Sequence, residues 1–320
     1  MALIAGIDGG GTKTEAVILD TDSMEIVGHG ISGPSNFHNV GLDRAVINII
    51  DALIKAMEHA GHYVSLDAAC ISLAGLDTRF DREYIVEKIG RLNISKYLVI
   101  EHDAHEALMA GSLGEPGVSV IAGTGSIAYA WNGKERVIVG DHGWVLGDQG
   151  SGFWIGFNAV REAVKMLDGR REATGLEKVV LKYFNACDKE ELSFKIYSRG
   201  FSVEWIAGLA PYVAREAEKG DEIAREIIIE AGREIGWATV TASIKTGMYS
   251  PKIYYTGGVF KSRLFEESFK QEIARNLPKA KVYRLKYKPV LGSLVIAAKK
   301  LEKKVPWEEI KGIEQLLMAT

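Results

Sequence analysis

The run Asp8-Gly9-Gly10-Gly11-Thr12-Lys13-Thr14 constrains this chain more than any other stretch. Three consecutive glycines carry no Cβ, so the backbone can turn sharply and approach a ligand closely. Residues 3–7 (Leu-Ile-Ala-Gly-Ile) read as a short buried strand and residues 13–19 as a second strand. A turn between two strands that aims its N–H groups outward suits a polyanion. Gly10 and Gly11 supply bare backbone, and Thr12 and Lys13 add a hydroxyl and a cation. Asp8, at the strand end, is placed to hold Mg²⁺ through water, because Mg²⁺ keeps several waters and takes one or two carboxylates. The stretch from Gly6 to Thr14 approaches GxxxxGKT, but Thr12 intervenes between Gly11 and Lys13. A P-loop also needs a helix after it, and residues 15–19 read as strand. The plain alternative is a structural hairpin turn.

The rest of the chain alternates in the same way. A third strand is expected at 25–30 and an amphipathic helix at 41–60, with Ala45, Ile47, Ile49, Ile50, Leu53, Ile54 and Met57 at helical spacing. Strand 68–74, helix 81–91, strand 97–101 and helix 104–112 follow, which is an α/β pattern. Gly114-Glu115-Pro116-Gly117 is the clearest breaker cluster and is taken as a lobe boundary. Beyond it the pattern restarts: strand 118–122, a Gly-Thr-Gly-Ser turn, strand 127–131 and strand 136–140. Strand, glycine turn, strand therefore occurs twice. Residues 152–248 read as mostly helical. Strand 252–256, Gly257-Gly258, helix 263–275, strand 281–284 and two closing helices near 291–302 and 306–318 complete the chain.

Gly123-Thr124-Gly125-Ser126 is the second glycine turn, and either a phosphate grip or a small hairpin satisfies it. As a repeat of the first, it could face it across a cleft and clamp one triphosphate. Thr256-Gly257-Gly258-Val259 is the third; it allows a flat ring to lie on the backbone, or is simply a strand–helix turn. Asp103, in Glu101-His102-Asp103-Ala104, sits where a strand ends and a helix starts. It serves either as an N-cap or as a base. His102 and His105 flank it at i, i+3 without a further ligand at metal-binding spacing, which leaves them supporting or surface roles. Asn36 is a turn-former or an amide for hydroxyl groups.

The chain has 320 residues, which suggests two domains. A net charge of −3 advertises no nucleic-acid face, yet local N–H groups, cations and Mg²⁺ can still hold ATP. Cys70 and Cys187 form neither a disulfide framework nor a CxxC pair, which suits a reducing cytoplasm. No signal peptide is expected from the N-terminal residues, and no apolar run approaches the ~18 residues a membrane helix needs. Scarce Gln and Cys, with Lys, Glu and Arg abundant in the last third, point to a heat-adapted source.

Taken in order, Asp8-Gly-Gly-Gly-Thr-Lys-Thr, Ala122-Gly-Thr-Gly-Ser, Gly147-Asp-Gln-Gly-Ser and Thr256-Gly-Gly-Val resemble the N-acetylglucosamine kinase branch, the BadF/BadG-type ATPases, of the actin-like sugar-kinase superfamily. The runs Ser32-Gly-Pro-Ser-Asn-Phe-His-Asn-Val-Gly-Leu42, Ala74-Gly-Leu-Asp77 and Leu113-Gly-Glu-Pro-Gly117 are similar to archaeal broad-specificity hexokinases. The resemblance covers nearly the whole chain. It implies a two-lobed, ribonuclease H-like α/β fold with duplicated mixed sheets and a cleft between the lobes. The lobes are expected at 1–115 and 116–299, with a helix at 300–320 packing back on the first. It implies an ATP- and Mg²⁺-dependent kinase for the 6-hydroxyl of a hexose or amino sugar, in the class of glucose, mannose, glucosamine and N-acetylglucosamine. By the same resemblance Asp103 is the general base, Asp148 accepts from sugar hydroxyls, and Asn36, Thr124, Gly143 and Trp144 line the sugar pocket, although Trp144 would equally serve as a core anchor. Asp8 holds the metal, and Gly10, Gly11, Thr12, Lys13, Gly123, Thr124, Gly125, Gly257 and Gly258 hold the nucleotide. A homodimer is the family habit. Gln149 stands where the family often has an acid, and Ala74 and Leu76 replace more polar residues of animal N-acetylglucosamine kinases. Those departures bear on whether an acetamido group is favoured.

Two other functions fit parts of the pattern. An ATPase activator of 2-hydroxyacyl-CoA dehydratases would need an iron–sulfur cluster and closely placed cysteines, which Cys70 and Cys187 do not supply. A sugar-sensing regulator would be expected to carry a DNA-binding segment, for which this sequence shows no room.

Overall fold

A computed structural model describes residues 2–61, 65–76, 78–198 and 202–318; Asp77 of the Ala74–Asp77 run lies outside them. The chain runs β1 (Leu3–Gly9), β2 (Thr14–Asp20), β3 (Glu25–Ser32), α1 (Phe37–Val40), α2 (Leu42–His59), β4 (Leu66–Leu73), α3 (Arg79–Gly90), β5 (Ser95–His102) and α4 (Asp103–Ser112). It continues with β6 (Gly117–Ala122), β7 (Ser126–Trp131), β8 (Arg136–Gly140), α5 (Gly143–Leu146), α6 (Gly152–Leu167), α7 (Gly175–Phe184), α8 (Lys189–Ser198), α9 (Val203–Ala207), α10 (Ala210–Glu218) and α11 (Glu222–Lys245). It closes with β9 (Lys252–Thr256), α12 (Arg263–Asn276), β10 (Lys281–Arg284) and α13 (Val290–Lys300). The chain divides into two compact units, residues 1–119 with 284–320, and residues 120–283.

In the first unit the sheet order is β3-β2-β1-β4-β5. β1 pairs antiparallel with β2 and parallel with β4, and β4 pairs parallel with β5. β1 and β4 are buried nearly throughout, which is why they read as continuous apolar runs. One sheet face packs on α2 and α3, joining Leu3, Ala5, Ile7, Ala16, Ile18, Ile71 and Leu73 to Ala45, Ile49, Leu53, Ile85 and Ile89. The opposite face receives α13, whose residues Val290–Ala298 are all buried. Gly6 permits that approach, since a Cβ there would lie 2.8 Å from Leu294 N and Val290 O. Gly292 does the same for α4: a Cβ would meet Glu106 O at 1.9 Å.

The 284–320 segment therefore belongs with the N-terminal unit, and the division falls at 283/284 where the sequence reading set it at 299/300. The closing helix expected over 306–318, or 300–320 as a whole, does not form. Two 3₁₀ turns, Trp307–Glu309 and Ile313–Leu316, stand there, fastened by bridges Glu25↔Lys311 and Tyr287↔Leu317. Pro306 and Gly312 interrupt the segment too often for an α-helix to propagate.

The second unit holds the sheet β10-β9-β6-β7-β8, with β7 and β8 antiparallel. Its long helix α11 buries Ile223, Ile227, Ile228, Ala231 and Ile235 along one stripe, and Asp221 caps it by accepting from Ala224 N–H at 3.0 Å. Among the described residues no helix is long and apolar enough to cross a membrane.

Candidate active site

The first glycine turn lies between β1 and β2, so no helix follows it and a P-loop is ruled out by its local structure. Gly10 N–H donates to Lys13 O at 3.0 Å, and Gly10 O accepts from Ser35 N–H and Asn36 N–H at 3.0 and 3.2 Å. Those bonds bind the Gly33–Asn36 loop to the turn. A Cβ on Gly9 would lie 2.4 Å from Leu73 Cδ2 and Ser35 Oγ, whereas one on Gly11 would meet nothing within 4 Å. Gly9 is thus a packing requirement, and Gly11 with Thr12 and Lys13 is the open, solvent-facing part of the turn.

Glu15, the cross-strand partner of Asp8, organises the charge beneath. Its carboxylate is 2% exposed and is met by Lys13, by His29 Nε2 at 2.9 Å and by Lys288 Nζ at 3.0 Å. Burial alone would raise Glu15, but hydrogen bonds from Lys13, Lys288 and His29 prevail and hold it down at about 2.

Asp8 shows the opposite balance. Burial, then the charges of Asp103 and Glu15, push it up to about 7, against the pull of Lys13. Asp8 and Asp103, 95 positions apart, therefore face one electrostatic environment. Glu106, one turn beyond Asp103 on α4, completes the acidic group. It is 0% exposed, accepts from Ser293 Oγ at 2.6 Å through Oε1, and is raised well above the carboxylate range by burial and by Asp8. No described residue donates to its Oε2. Two carboxyls raised first by burial and then by neighbouring carboxylates, one with an oxygen that no described residue meets, fit a divalent cation, which would neutralise both.

Asp103 is the first residue of α4, and its side chain is 29% exposed. It is not the cap. His102 takes that role, its Nδ1 accepting from Ala104 N–H at 3.0 Å. Asn36 is a cap: its Oδ1 accepts from His38 N–H at 3.1 Å at the start of α1. Only the amide Nδ2 side is left for a ligand.

In the second unit the Gly123–Ser126 turn sits under the N-terminus of α6. Gly152 N–H donates to Gly123 O at 2.8 Å and Phe153 N–H to Thr124 O at 3.2 Å. Asp148, at φ 59°, accepts from Ser126 N–H through Oδ1 at 3.0 Å, and is raised by its burial. A Cβ on Gly125 would lie 3.0 Å from that oxygen. Asp148 thus braces the turn with one oxygen. The third turn joins the second: Gly257, at φ 115°, sits so close to β6 that a Cβ would fall 2.1 Å from Ala122 O.

Together these turns wall a cavity of about 660 Å³. Gly123, Thr124, Gly258, Val259, Lys261 and Ser262 form one side, and α9–α10 form the other through Glu204, Ala207, Gly208, Pro211, Ala214 and Arg215. Its small, apolar side chains between a few charged groups suit a flat ring with a polar attachment. The α9–α10 residues carry no motif; only the small residues Ala207, Gly208, Ala210 and Ala214 hint at a close-packed wall. Gly143 and Trp144 lie outside the cavity lining. Trp144 is 44% exposed, its ring 5.5 Å from that of Phe153, so it is no core anchor.

Two five-stranded mixed sheets, each with a glycine turn at the end of its central strands, define an actin-like ATPase fold. The sequence profile of the BadF/BadG/BcrA/BcrD ATPase family matches residues 5–297, and the chain belongs to that family. It is 32% identical over 305 residues to the N-acetylmuramic acid/N-acetylglucosamine kinase of Clostridium acetobutylicum, covering 93% of this chain and 98% of that one. It is 30% identical to the N-acetyl-D-glucosamine kinase of Dictyostelium discoideum, covering 92% and 97%. A candidate N-acetylglucosamine kinase from Chromobacterium violaceum shares the fold with a TM-score of 0.76 at 22% identity, over 93% of this chain and 99% of that one. A ROK family glucokinase from Streptomyces griseus, solved with glucose and AMPPNP, matches at 0.56 and 19%, over 93% and 99%.

Proposed function

We propose that this protein is an ATP-dependent amino-sugar kinase that phosphorylates the 6-hydroxyl of its sugar, with Asp103 as general base. The observation that carries the reading is the division of labour at the start of α4: His102 fills the cap, so the Asp103 carboxylate is not spent on it and, with Oδ1 2.8 Å from His102 Nδ1, stays partly open to solvent. Phosphoryl transfer asks little covalent work of a protein. It needs an aligned nucleophile, a base and neutralised charge.

The hydroxyl oxygen attacks the γ-phosphorus of ATP, the bond to the leaving ADP oxygen breaks, and the hydroxyl proton passes to Asp103. Gly10, Gly11, Thr12 and Lys13 in one unit, and Gly123, Thr124 and Gly125 in the other, offer N–H, hydroxyl and ammonium groups to phosphate oxygens. The cavity bordered by Gly258 takes the nucleoside, with Gly257 holding that wall in place. Asp8 would hold Mg²⁺, with Glu106 beside it; the ion supplies charge neutralisation on the phosphates. Asn36 Nδ2 in the first unit and, in the second unit, the other oxygen of Asp148 with Thr124, Gly143 and Trp144 are the groups assigned to the sugar. The curated relatives act on N-acetylglucosamine and N-acetylmuramic acid, which makes a 2-amino or 2-acetamido hexose the first substrate class to try.

The test is ADP release coupled to a chromogenic reaction, across glucose, mannose, glucosamine, N-acetylglucosamine and N-acetylmannosamine. Sugar-dependent turnover is expected, and Asp103→Ala should lose at least about 100-fold in kcat. Equal ATP turnover with and without sugar would refute the kinase reading.

A further inference from the structure

On α10 the cavity wall is a helical stripe of Pro211, Ala214 and Glu218, with Arg215 at its edge. The Arg215 guanidinium is held twice. Its Nε donates to Pro211 O at 3.2 Å, and its central carbon lies 4.5 Å from the centre of the Tyr212 ring. Tyr212 is braced in turn. Its ring meets that of Tyr183 edge to face at 5.2 Å, and Tyr183 OH donates to Trp205 O at 2.8 Å. Gly208 makes room for that hydroxyl, since a Cβ there would lie 2.4 Å from it. A guanidinium is planar and has two faces. Tyr212 covers one. Arg215 borders the cavity and Tyr212 does not, so the uncovered face is the one turned to the cavity. On the opposite wall stands Gly258, where a Cβ would meet nothing within 4 Å. That is bare backbone on which a flat ring can lie.

We propose that Arg215 stacks on the base of the nucleotide donor, its guanidinium pre-set by Tyr212, so that tyrosine, guanidinium and base form one pile against Gly258. This rests on the cavity taking the nucleoside of ATP. A guanidinium plane stacks on a nucleobase as it does on an aromatic side chain. The brace matters because a free arginine loses rotamer freedom when it binds, whereas one already fixed loses little.

The experiment separates base from phosphate. The whole chain is titrated by calorimetry with Mg-ADP and with Mg-tripolyphosphate, which carries phosphates and neither base nor ribose. Arg215→Ala should weaken ADP about 5- to 30-fold, the range for a partly desolvated cation over a ring. It should leave tripolyphosphate within about twofold and melt within about 2 °C of the parent, because the side chain is exposed. In turnover, KM for ATP should rise by the same factor with kcat within about twofold. Arg215→Lys keeps the charge and loses the plane, and should stay at least about threefold weaker than the parent for ADP. Tyr212→Leu removes the ring behind the guanidinium and should weaken ADP about two- to fivefold; parent affinity there would strike out the brace. An equal loss for tripolyphosphate in Arg215→Ala would make Arg215 a phosphate contact and overturn the stack. Full recovery in Arg215→Lys would overturn it too, leaving only charge. Parent binding of ADP no tighter than of tripolyphosphate would remove the nucleoside cavity and this inference with it. Tighter ADP binding by the parent, unchanged in Arg215→Ala, removes this inference alone.

Discussion

Replacing Glu15 by Gln tests the charge architecture under the first phosphate turn. Glu15 falls from an ordinary 4.5 to about 2 because Lys13, Lys288 and His29 converge on it despite its burial. At 1.36 kcal/mol per pH unit that difference of 2.5 is worth about 3.4 kcal/mol at neutral pH. Lys13 and Lys288 are partly in solvent, and screening lowers the figure to about 2 kcal/mol. Glu15→Gln should therefore melt roughly 4–8 °C below the parent at pH 7. The sign of the pH dependence follows from the depressed value. A carboxylate held below its unfolded value contributes fully above about pH 4.5 and loses its contribution as the pH falls toward 2. The gap between variant and parent should be constant from pH 7 to 5.5, narrow below 4.5, fall to about 40% of its width by pH 3, and close only below about pH 2. Melting curves followed by circular dichroism at those values read it directly, since every other carboxyl titrates in both proteins. Equal melting at pH 7, or a gap as wide at pH 3 as at pH 7, would refute the reasoning.

Two further outcomes follow from the same geometry. Gly257→Ala forces a Cβ into a glycine-only conformation and to 2.1 Å from Ala122 O; about 3–5 kcal/mol of destabilisation is expected, with ATP affinity falling at least tenfold by calorimetry. A parent-like melt would mean that β6 and the third turn are not held together as described. Because Asp8 is raised to about 7 and a cation binds its ionised form, Mn²⁺ affinity of the nucleotide-free protein should rise about fivefold from pH 6 to 7 and flatten above about 8. Paramagnetic resonance of free Mn²⁺ measures this. A flat profile, or one unchanged in Asp8→Asn, would remove Asp8 as the metal ligand.

Much of this protein is written locally. The three glycine turns, the strands beside them and the amphipathic helix over Leu42–His59 were legible because period, breakers and Cβ-free backbone are properties of a few adjacent residues. The likeness carried by the ordered motifs named the family. Other features depended on residues that meet only after folding. The sequence offers Asp103 as a cap or a base and cannot choose, because the choice hangs on where the His102 ring points. Lys288 lies 273 positions from Glu15, and Ser293 lies 187 from Glu106, so neither pair leaves a trace in local pattern. The wall formed by α9 and α10 is a set of small residues whose meaning appears only opposite Gly258. Residues 306–318 misled for the same reason. Their apolar spacing suits a helix, but Pro306, Gly312 and the bridges to Glu25 and Tyr287 outweigh a propensity worth only tenths of a kcal/mol per residue. Sequence alone determined which backbone could turn beside a phosphate. Tertiary structure decided which carboxylates are crowded into raised or lowered proton affinity, because burial and charge act through space, without regard to separation along the chain.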